Sequence, residues 1–435
     1  MTDVWDVVVC GGGTAGVVAA IAAGRKGAKT LIVERYGALG GTQTHGMVTP
    51  MMPNYLGDYK LSRGIGMEIS AKQAEFQRAV NDVEHYDSWF DPTALPLILD
   101  QMATDAGVVC LFDTDLFKVK REGRSISAIQ VASRSGNMEI EGKAFIDCTG
   151  DAVLSMYAGA ELMCGNEDGV HQPMTLRFTM GNVDLEKFRK ATYPYLKTNT
   201  ENHLEAGFAE SKNSPISAMV QAAVDKGILF DDDLGYFQFF TANGRTNELA
   251  LNMPRIVELD PLDPFAISKA YQMGRGKIFR IVEFMKRYFD GCQNAYVSSI
   301  APMMGVRESR RVVGEYILTE DDHQSFARFD DAIARNRYPI DIHLKKGSDY
   351  RKYPEGKFHE IPYRSIIAKG FDNLWVAGRC ISATFVAQSA IRIQPICRAT
   401  GEAAGFAAAI AVKKGLSARS VPYLDLSGCL DLSLP

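Results

Sequence analysis

The sequence predicts an α/β fold: a parallel sheet assembled from both ends of the chain, with a mixed α+β segment inserted between them. Three observations carry this. A β-branched run, Asp6–Cys10 (DVVVC), leads directly into Gly11-Gly12-Gly13-Thr14-Ala15-Gly16. A second apolar run, Lys29–Glu34 (KTLIVE), ends in an acid 18 residues after Gly16. A third, Asn373–Ala377 (NLWVA), precedes Gly378-Arg379 and a helix rich in small residues. Short continuous apolar runs of this kind suit strands buried on both faces of a parallel sheet.

Composition narrows the classes. The chain has 435 residues, 46% apolar and 23% charged, which excludes a disordered or collagen-like protein. A formal net charge of −4 argues against a dedicated nucleic-acid or anionic-membrane binder. None of the eight cysteines forms a C-x-x-C pair. A zinc ribbon, a thioredoxin-type centre and a disulfide reductase are therefore disfavoured, and no metal site is expected. Thiols set in apolar runs fit a reducing, cytoplasmic setting. Val7–Gly24 carries no charge over 18 residues, enough for a hydropathy window to read as a membrane span. The preceding Asp3 and Asp6 are not the basic flank of a signal peptide, and the glycines in the run have a different use, so no span is expected.

That use is a dinucleotide turn. Gly11, Gly13 and Gly16 satisfy G-x-G-x-x-G, with a strand before, the Ala-rich helix Val17–Lys26 after, and Glu34 at the end of the next strand. Gly11 permits the tight turn, Gly13 lets the backbone approach a pyrophosphate, and Gly16 allows close helix–strand packing. The helix N-terminus aims N–H groups at the phosphates. Glu34 accepts from ribose hydroxyls and repels a 2′-phosphate, so NADP is disfavoured. An NAD dehydrogenase would continue into another βα unit. Here RYGALGGTQTHG follows instead, a polar glycine-rich stretch running past the place a flavin would occupy.

The remaining elements follow in order. Asp91–Gly107 reads as a helix with Asp91 as N-cap and Pro92 at its first position, leading into a strand at Val108–Phe112. Phe117–Ile140 reads as a three-strand meander, and Lys143–Cys148 as a separate strand before Thr149-Gly150-Asp151 and a helix over Ala152–Gly159. The polar stretch Leu162–Ile300 reads as the insertion, with helices at Asp184–Ala191 and Ser214–Gly227 and a strand over His171–Phe178. Pro339–His343 is an alternating strand that puts Asp341 and His343 on one face, where the carboxylate holds the imidazole. Pro395–Lys413 is one helix whose Ala399, Gly401, Ala403, Ala404 and Gly405 allow close approach.

Taken together, DVVVCGGGTAGVVAAIAAGRKGAKTLIVERYGALGG, AFIDCTGDAVLSMYAGA, GVRESRRVVGEYIL, IPYRSIIAKGFDNLWVAGRCISAT and RATGEAAGFAAA resemble the FAD-dependent oxidoreductases of the glutathione-reductase-like superfamily. Distant relatives of that group include the flavoprotein subunits of succinate dehydrogenase and fumarate reductase. The resemblance implies a Rossmann-like FAD-binding domain of glutathione-reductase type in two parts, residues 1–161 and 360–435, around a substrate domain at 162–359. It implies extended FAD contacting Gly11, Gly13, Gly16, Glu34, Gly41, Thr149, Gly150 and Gly378, with Thr14, Ala15, Arg35, Gly40, Thr42, Asp151 and Arg379 beside them. His45 lies near the stretch that links FAD covalently in the succinate dehydrogenase group, but out of register with it.

Catalytic candidates must reach the flavin ring, because the cofactor itself carries the hard chemistry. Arg307, in the cluster with Arg310 and Arg311, and Arg392, before the small-residue helix, are candidates to clamp an anion. A seam of Arg–Glu pairs is the competing reading of the 307–311 cluster. His343 and His171 are candidate acid–base groups. The expected function is hydride transfer between flavin N5 and a small polar, carboxylate-bearing molecule. A flavin monooxygenase, an NAD dehydrogenase and a non-catalytic FAD-binding redox sensor are the rivals. The expected partner is a small-molecule substrate. Homo-oligomer formation and the electron partner are left open.

Overall fold

The computed structural model describes residues 4–81, 90–200, 203–208, 210–241 and 244–434. The expected βαβ start is present as β1 (Trp5–Cys10), α1 (Gly16–Arg25) and β2 (Thr30–Val33). After α2 (Gly64–Asn81) and α3 (Leu95–Asp105), β3 (Val109–Leu111) joins parallel to β2. Helix α3 starts later than Asp91, whose Oδ1 instead accepts from Thr93 N at 2.8 Å in the preceding turn.

Next come β4 (Asp115–Glu122), β5 (Ser125–Ser133) and β6 (Gly136–Asp147). The expected third meander strand and the expected strand at 143–148 are one 12-residue strand, β6. Its first part pairs antiparallel with β5, and its last part pairs parallel with both β1 and Leu374–Val376. Gly142 lies where the two pairings meet and marks close packing: a Cβ there would lie 2.8 Å from Val8 Cγ2. The main sheet thus runs β3-β2-β1-β6-β5-β4, with Leu374–Val376 also against β6. Its centre is dry: Val7, Val8, Val9, Ile32, Phe145, Ile146 and Trp375 have no exposed surface. Each such side chain contributes about 1.5–3 kcal/mol by burial.

The helix Gln394–Lys414 covers α1 at backbone distance. A Cβ on Gly401 would sit 2.2 Å from Ala15 O, and one on Gly405 would sit 2.0 Å from Ala19 O. No rotamer change relieves a clash with backbone. Gly405→Val is therefore expected to destabilise the fold by about 3 kcal/mol or more, read as a lowered thermal midpoint.

A second layer has its own core. Six antiparallel strands run in the order Thr198–Asn199, Leu204–Phe208, Phe237–Thr241, Leu249–Leu251, Phe178–Gly181, Tyr296–Ile300. The helix Pro264–Tyr288, capped by Asp263, packs with them through Ile278, Ile281, Phe284 and Met285. The strand expected over His171–Phe178 is two short pieces. Met174–Thr175 pairs with Arg255–Ile256, whereas Phe178 onward enters the six-stranded sheet. The chain changes partners between them. Among the described residues no helix is long and apolar enough to cross a membrane; the uncharged run Val7–Gly24 is divided between β1, the turn and α1.

The hairpin Ile340–His343 and Ser348–Arg351 lies beside a buried ring cluster. His323 and Tyr353 centroids are 4.3 Å apart, His323 and His359 5.1 Å, and the Tyr353 hydroxyl meets His359 Nδ1. Burial pushes His323 down to about 4 and His359 well below its ordinary value. Both are neutral when folded, so the unfolded chain takes up protons first as pH falls. Stability is intact above pH 6.5 and declines from there toward pH 4, with His323 alone contributing about 3 kcal/mol. Urea unfolding across this range is expected to show the loss, and His323→Phe to reduce it by the share of His323, leaving that of His359.

Candidate functional site

The glycine turn between β1 and α1 is shaped from both sides. Gly16 is fixed by packing, since a Cβ there would lie 1.8 Å from Gly11 O. Gly13 is different: the nearest atom a Cβ would meet is Gly41 Cα at 3.9 Å. The Gly40–Gly41 turn seals the edge, with Gly40 N donating to Gly12 O at 2.9 Å and the Thr14 and Thr42 hydroxyls 3.2 Å apart. No side chain caps α1, which leaves its first N–H groups for an anion. Glu34 accepts from Gly12 N at 2.6 Å through Oε2 and from Tyr36 N at 2.8 Å through Oε1. Burial raises its carboxyl above the ordinary range.

The neighbouring turn hangs from Asp147. This buried carboxylate accepts from the Thr149 N–H and hydroxyl and from the Ser155 N–H and hydroxyl. Beyond it, Arg379 Nη2 donates to Asp151 Oδ1 at 2.7 Å and Arg379 Nη1 to Ser309 Oγ at 2.8 Å. Gly378 brings the C-terminal segment within 2.9 Å of Ala15 Cβ, measured from the Cβ it lacks. The predicted cofactor residues from both ends of the chain therefore border one tract.

A second cluster gathers in front of the helix Gln394–Lys414. His343 Nδ1 accepts from Arg255 Nη2 at 2.7 Å, which puts the ring proton on Nε2, 3.4 Å from Asp341 Oδ2. Arg392 Nη2 reaches Asp341 O at 3.0 Å and Asp341 Oδ2 at 3.6 Å. Arg307 Nη1 donates to Pro173 O at 2.6 Å and to Thr175 Oγ1 at 2.8 Å. Arg177 is held by neutral partners, Asn252 Oδ1 and Met47 O. Burial and the Arg307 charge push His343 down to about 3. Burial and the Arg392 and Arg255 charges push Arg307 down to about 9, and burial brings Arg177 to about 10. Burial would raise Asp341, but His343, Arg392 and Arg307 hold it well below the carboxylate range.

With this geometry in hand, the comparisons decide the family. A family model described as FAD dependent oxidoreductase matches residues 6–430. The chain belongs to the FAD-dependent oxidoreductase family. It is accordingly an FAD-binding enzyme. Among solved structures it is similar to p-nitrophenol 4-monooxygenase from Pseudomonas putida DLL-E4, at 11% identity and a TM-score of 0.50, covering 98% of this chain and 83% of that one. It is also similar to a geranylgeranyl bacteriochlorophyll reductase-like protein from Thermoplasma acidophilum, at 13% identity and a TM-score of 0.48, covering 99% and 83%. The first likeness shows a shared fold. No curated protein matches the sequence significantly.

The residues of the first tract fit FAD. Gly13 offers an open cradle that a Cβ would fill, and each Glu34 oxygen retains acceptor capacity beside its backbone bond. Of the predicted catalytic candidates, Arg307, Arg392 and His343 come together, and Asp341 faces His343 as the strand alternation implied. His171 stands apart, its Nδ1 2.8 Å from Glu308 Oε2. The Arg–Glu seam is realised by Arg311 and Glu308, while Arg307 leaves it for Thr175. Sequence reasoning missed Arg255, Arg177 and Tyr236, whose ring centroid lies 4.6 Å from the Arg255 guanidinium. Arg255 sits in a proline-rich stretch with no motif, and only the fold brings it 88 residues along the chain to His343.

Proposed function

We propose that this enzyme moves hydride between flavin N5 and a small polar substrate bearing at least one carboxylate. The supporting observation is the charge imbalance of the second cluster. Arg255, Arg307 and Arg392 share the Asp341 carboxylate, and Arg177 adds a further guanidinium held by neutral partners. Buried charge of one sign calls for a counter-ion, which in this reading the substrate brings. Among the described residues, Arg307 Nε and Nη2 have no protein partner, and Arg392 Nε is buried without one.

In this reading FAD lies along Gly11, Gly13, Thr14, Ala15, Gly16, Glu34, Arg35, Gly40, Gly41, Thr42, Thr149, Gly150, Asp151, Gly378 and Arg379. Residues 1–161 and 360–435 form a glutathione-reductase-type domain, and 162–359 supply the substrate side. The bound flavin supplies hydride acceptance and donation. Arg307 and Arg392 bind and orient the carboxylate as forked donors. His343 stays neutral and, bridging Arg255 and Asp341, fixes the carboxylate that in turn aims Arg392. Arg307, an arginine with weakened hold on its proton, moves the proton that accompanies the hydride, at the hydroxyl oxygen of a hydroxy acid or at the neighbouring carbon of an unsaturated one. The eight free thiols fit a cytoplasmic location.

Anaerobic titration tests this. Absorbance of the purified yellow protein is followed during addition of hydroxy acids, and that of the dithionite-reduced protein during addition of unsaturated and keto acids. Bleaching or recovery with a carboxylate, but not with its amide, is expected. Oxygen and NADPH consumption with a neutral phenol would favour a monooxygenase, as p-nitrophenol 4-monooxygenase, which shares the fold, is named. Failure of every acid in both directions would overturn the proposal.

A further inference from the structure

His171, left out of the flavin-side cluster, belongs to a different constellation. The strand Leu162–Cys164 pairs with Arg310–Val312 and places Cys164 opposite Arg310. Of the eight free cysteines, Cys164 alone is exposed. Its Sγ lies 3.8 Å from His171 Nε2, and His171 Nδ1 lies 2.8 Å from Glu308 Oε2. Glu308 is completely buried and further held by Arg311 and Gly165 N. Asp260 Oδ1 stands 3.5 Å from the same Nε2. A thiol, an imidazole within reach of it and a buried acid orienting the far ring nitrogen is the arrangement of a base-activated nucleophile.

We propose that Cys164, His171 and Glu308 form a nucleophilic thiol site that takes small uncharged electrophiles, hydrogen peroxide and its alkyl derivatives above all. Burial, Glu308 and Asp260 hold the Cys164 thiol above its usual range, so an isolated thiolate is disfavoured and attack requires a base at hand. Arg311 and Arg310 oppose Glu308 and Asp260 here, so the surroundings of the sulfur carry no excess of either sign, which favours neutral reagents. The thiol proton passes to His171 Nε2, and the imidazolium so formed is held between Glu308 and Asp260. Sulfur attacks one peroxide oxygen, the S–O bond forms and the O–O bond breaks. Sulfur is oxidised by two electrons to the sulfenic acid, and the peroxide is reduced by two. The departing hydroxide takes the proton from Nε2 and leaves as water.

The test uses the flavin-bound protein, limiting hydrogen peroxide and dimedone, with adducts mapped by mass spectrometry and the rate followed from pH 5 to 9. The label is expected on Cys164 before any other cysteine, and it disappears in C164S. The rate is expected to level off by about pH 8 instead of climbing tenfold per unit through thiol ionisation. H171Q is expected to slow labelling at pH 7 at least ~10-fold with the flavin spectrum unchanged. Adducts spread over several cysteines would overturn the proposal, as would an unaltered rate in H171Q. If H171Q loses its flavin, the wild-type profile decides: a rate still rising tenfold per unit to pH 9 sinks the site. None of these outcomes depends on which substrate the flavin oxidises.

Discussion

Gly13→Val protein is expected to fold normally and to be colourless. The substitution is unusual because the apo structure has room for it: Gly41 Cα, 3.9 Å from the added Cβ, is an ordinary contact. The new side chain instead occupies the place the FAD diphosphate needs, so affinity for FAD should fall at least ~100-fold, about 3 kcal/mol. The thermal midpoint without FAD should stay within about 2 °C of the parent, while the stabilisation that added FAD gives the parent is lost. Gly16→Val is the contrasting control. Its Cβ meets Gly11 O at 1.8 Å, so it should impair folding itself. A yellow Gly13→Val protein with parental affinity would disprove the assigned diphosphate seat.

Replacing Arg307 by Met should do the opposite, leaving the flavin bound and abolishing turnover. The guanidinium uses Nη1 to grip Pro173 O and Thr175 Oγ1, and this grip aims the rest of the group. Loss of about 10³-fold in kcat/KM, near 4 kcal/mol, is expected for removing a desolvated charge that contacts an anion. Arg307→Lys should restore little, because one ammonium does not reproduce the fork. In the parent, kcat/KM should fall as pH rises through about 9, where Arg307 loses its charge. That limb should be absent from the residual activity of Arg307→Met. Stopped-flow reduction of the flavin measures both, and parental rates in Arg307→Met would remove Arg307 from the site.

The opening strand–turn–helix–strand unit was legible in the sequence because it is local. Gly11 to Glu34 specify a strand, a turn, a helix and an acid within one short stretch, and each residue type has a single physical use there. The pairing of Asp341 with His343 was legible for the same reason, two residues apart on one strand face. The reaction cluster was not. Arg177, Tyr236 and Arg255 come from three separate stretches of the inserted segment, two of them outside any helix or strand, and nothing local distinguishes them from surface cations and ordinary aromatics. The split of β6 failed because its alternating first part and its continuous apolar last part read as two strands, whereas one strand serves both, antiparallel to β5 and then parallel to β1. His171 was marked in the sequence as an acid–base candidate; which cluster holds it depends on Glu308, a residue 137 positions away.

The carbonyl contacts of Gly401 and Gly405 with Ala15 and Ala19 have a temporal meaning. The cradle-bearing turn leaves the ribosome long before the helix Gln394–Lys414 that packs on it. A chain halted before position 395 lacks the backbone surface against which α1 rests. Uptake of the yellow coenzyme is therefore expected to wait until that helix has been made and has docked.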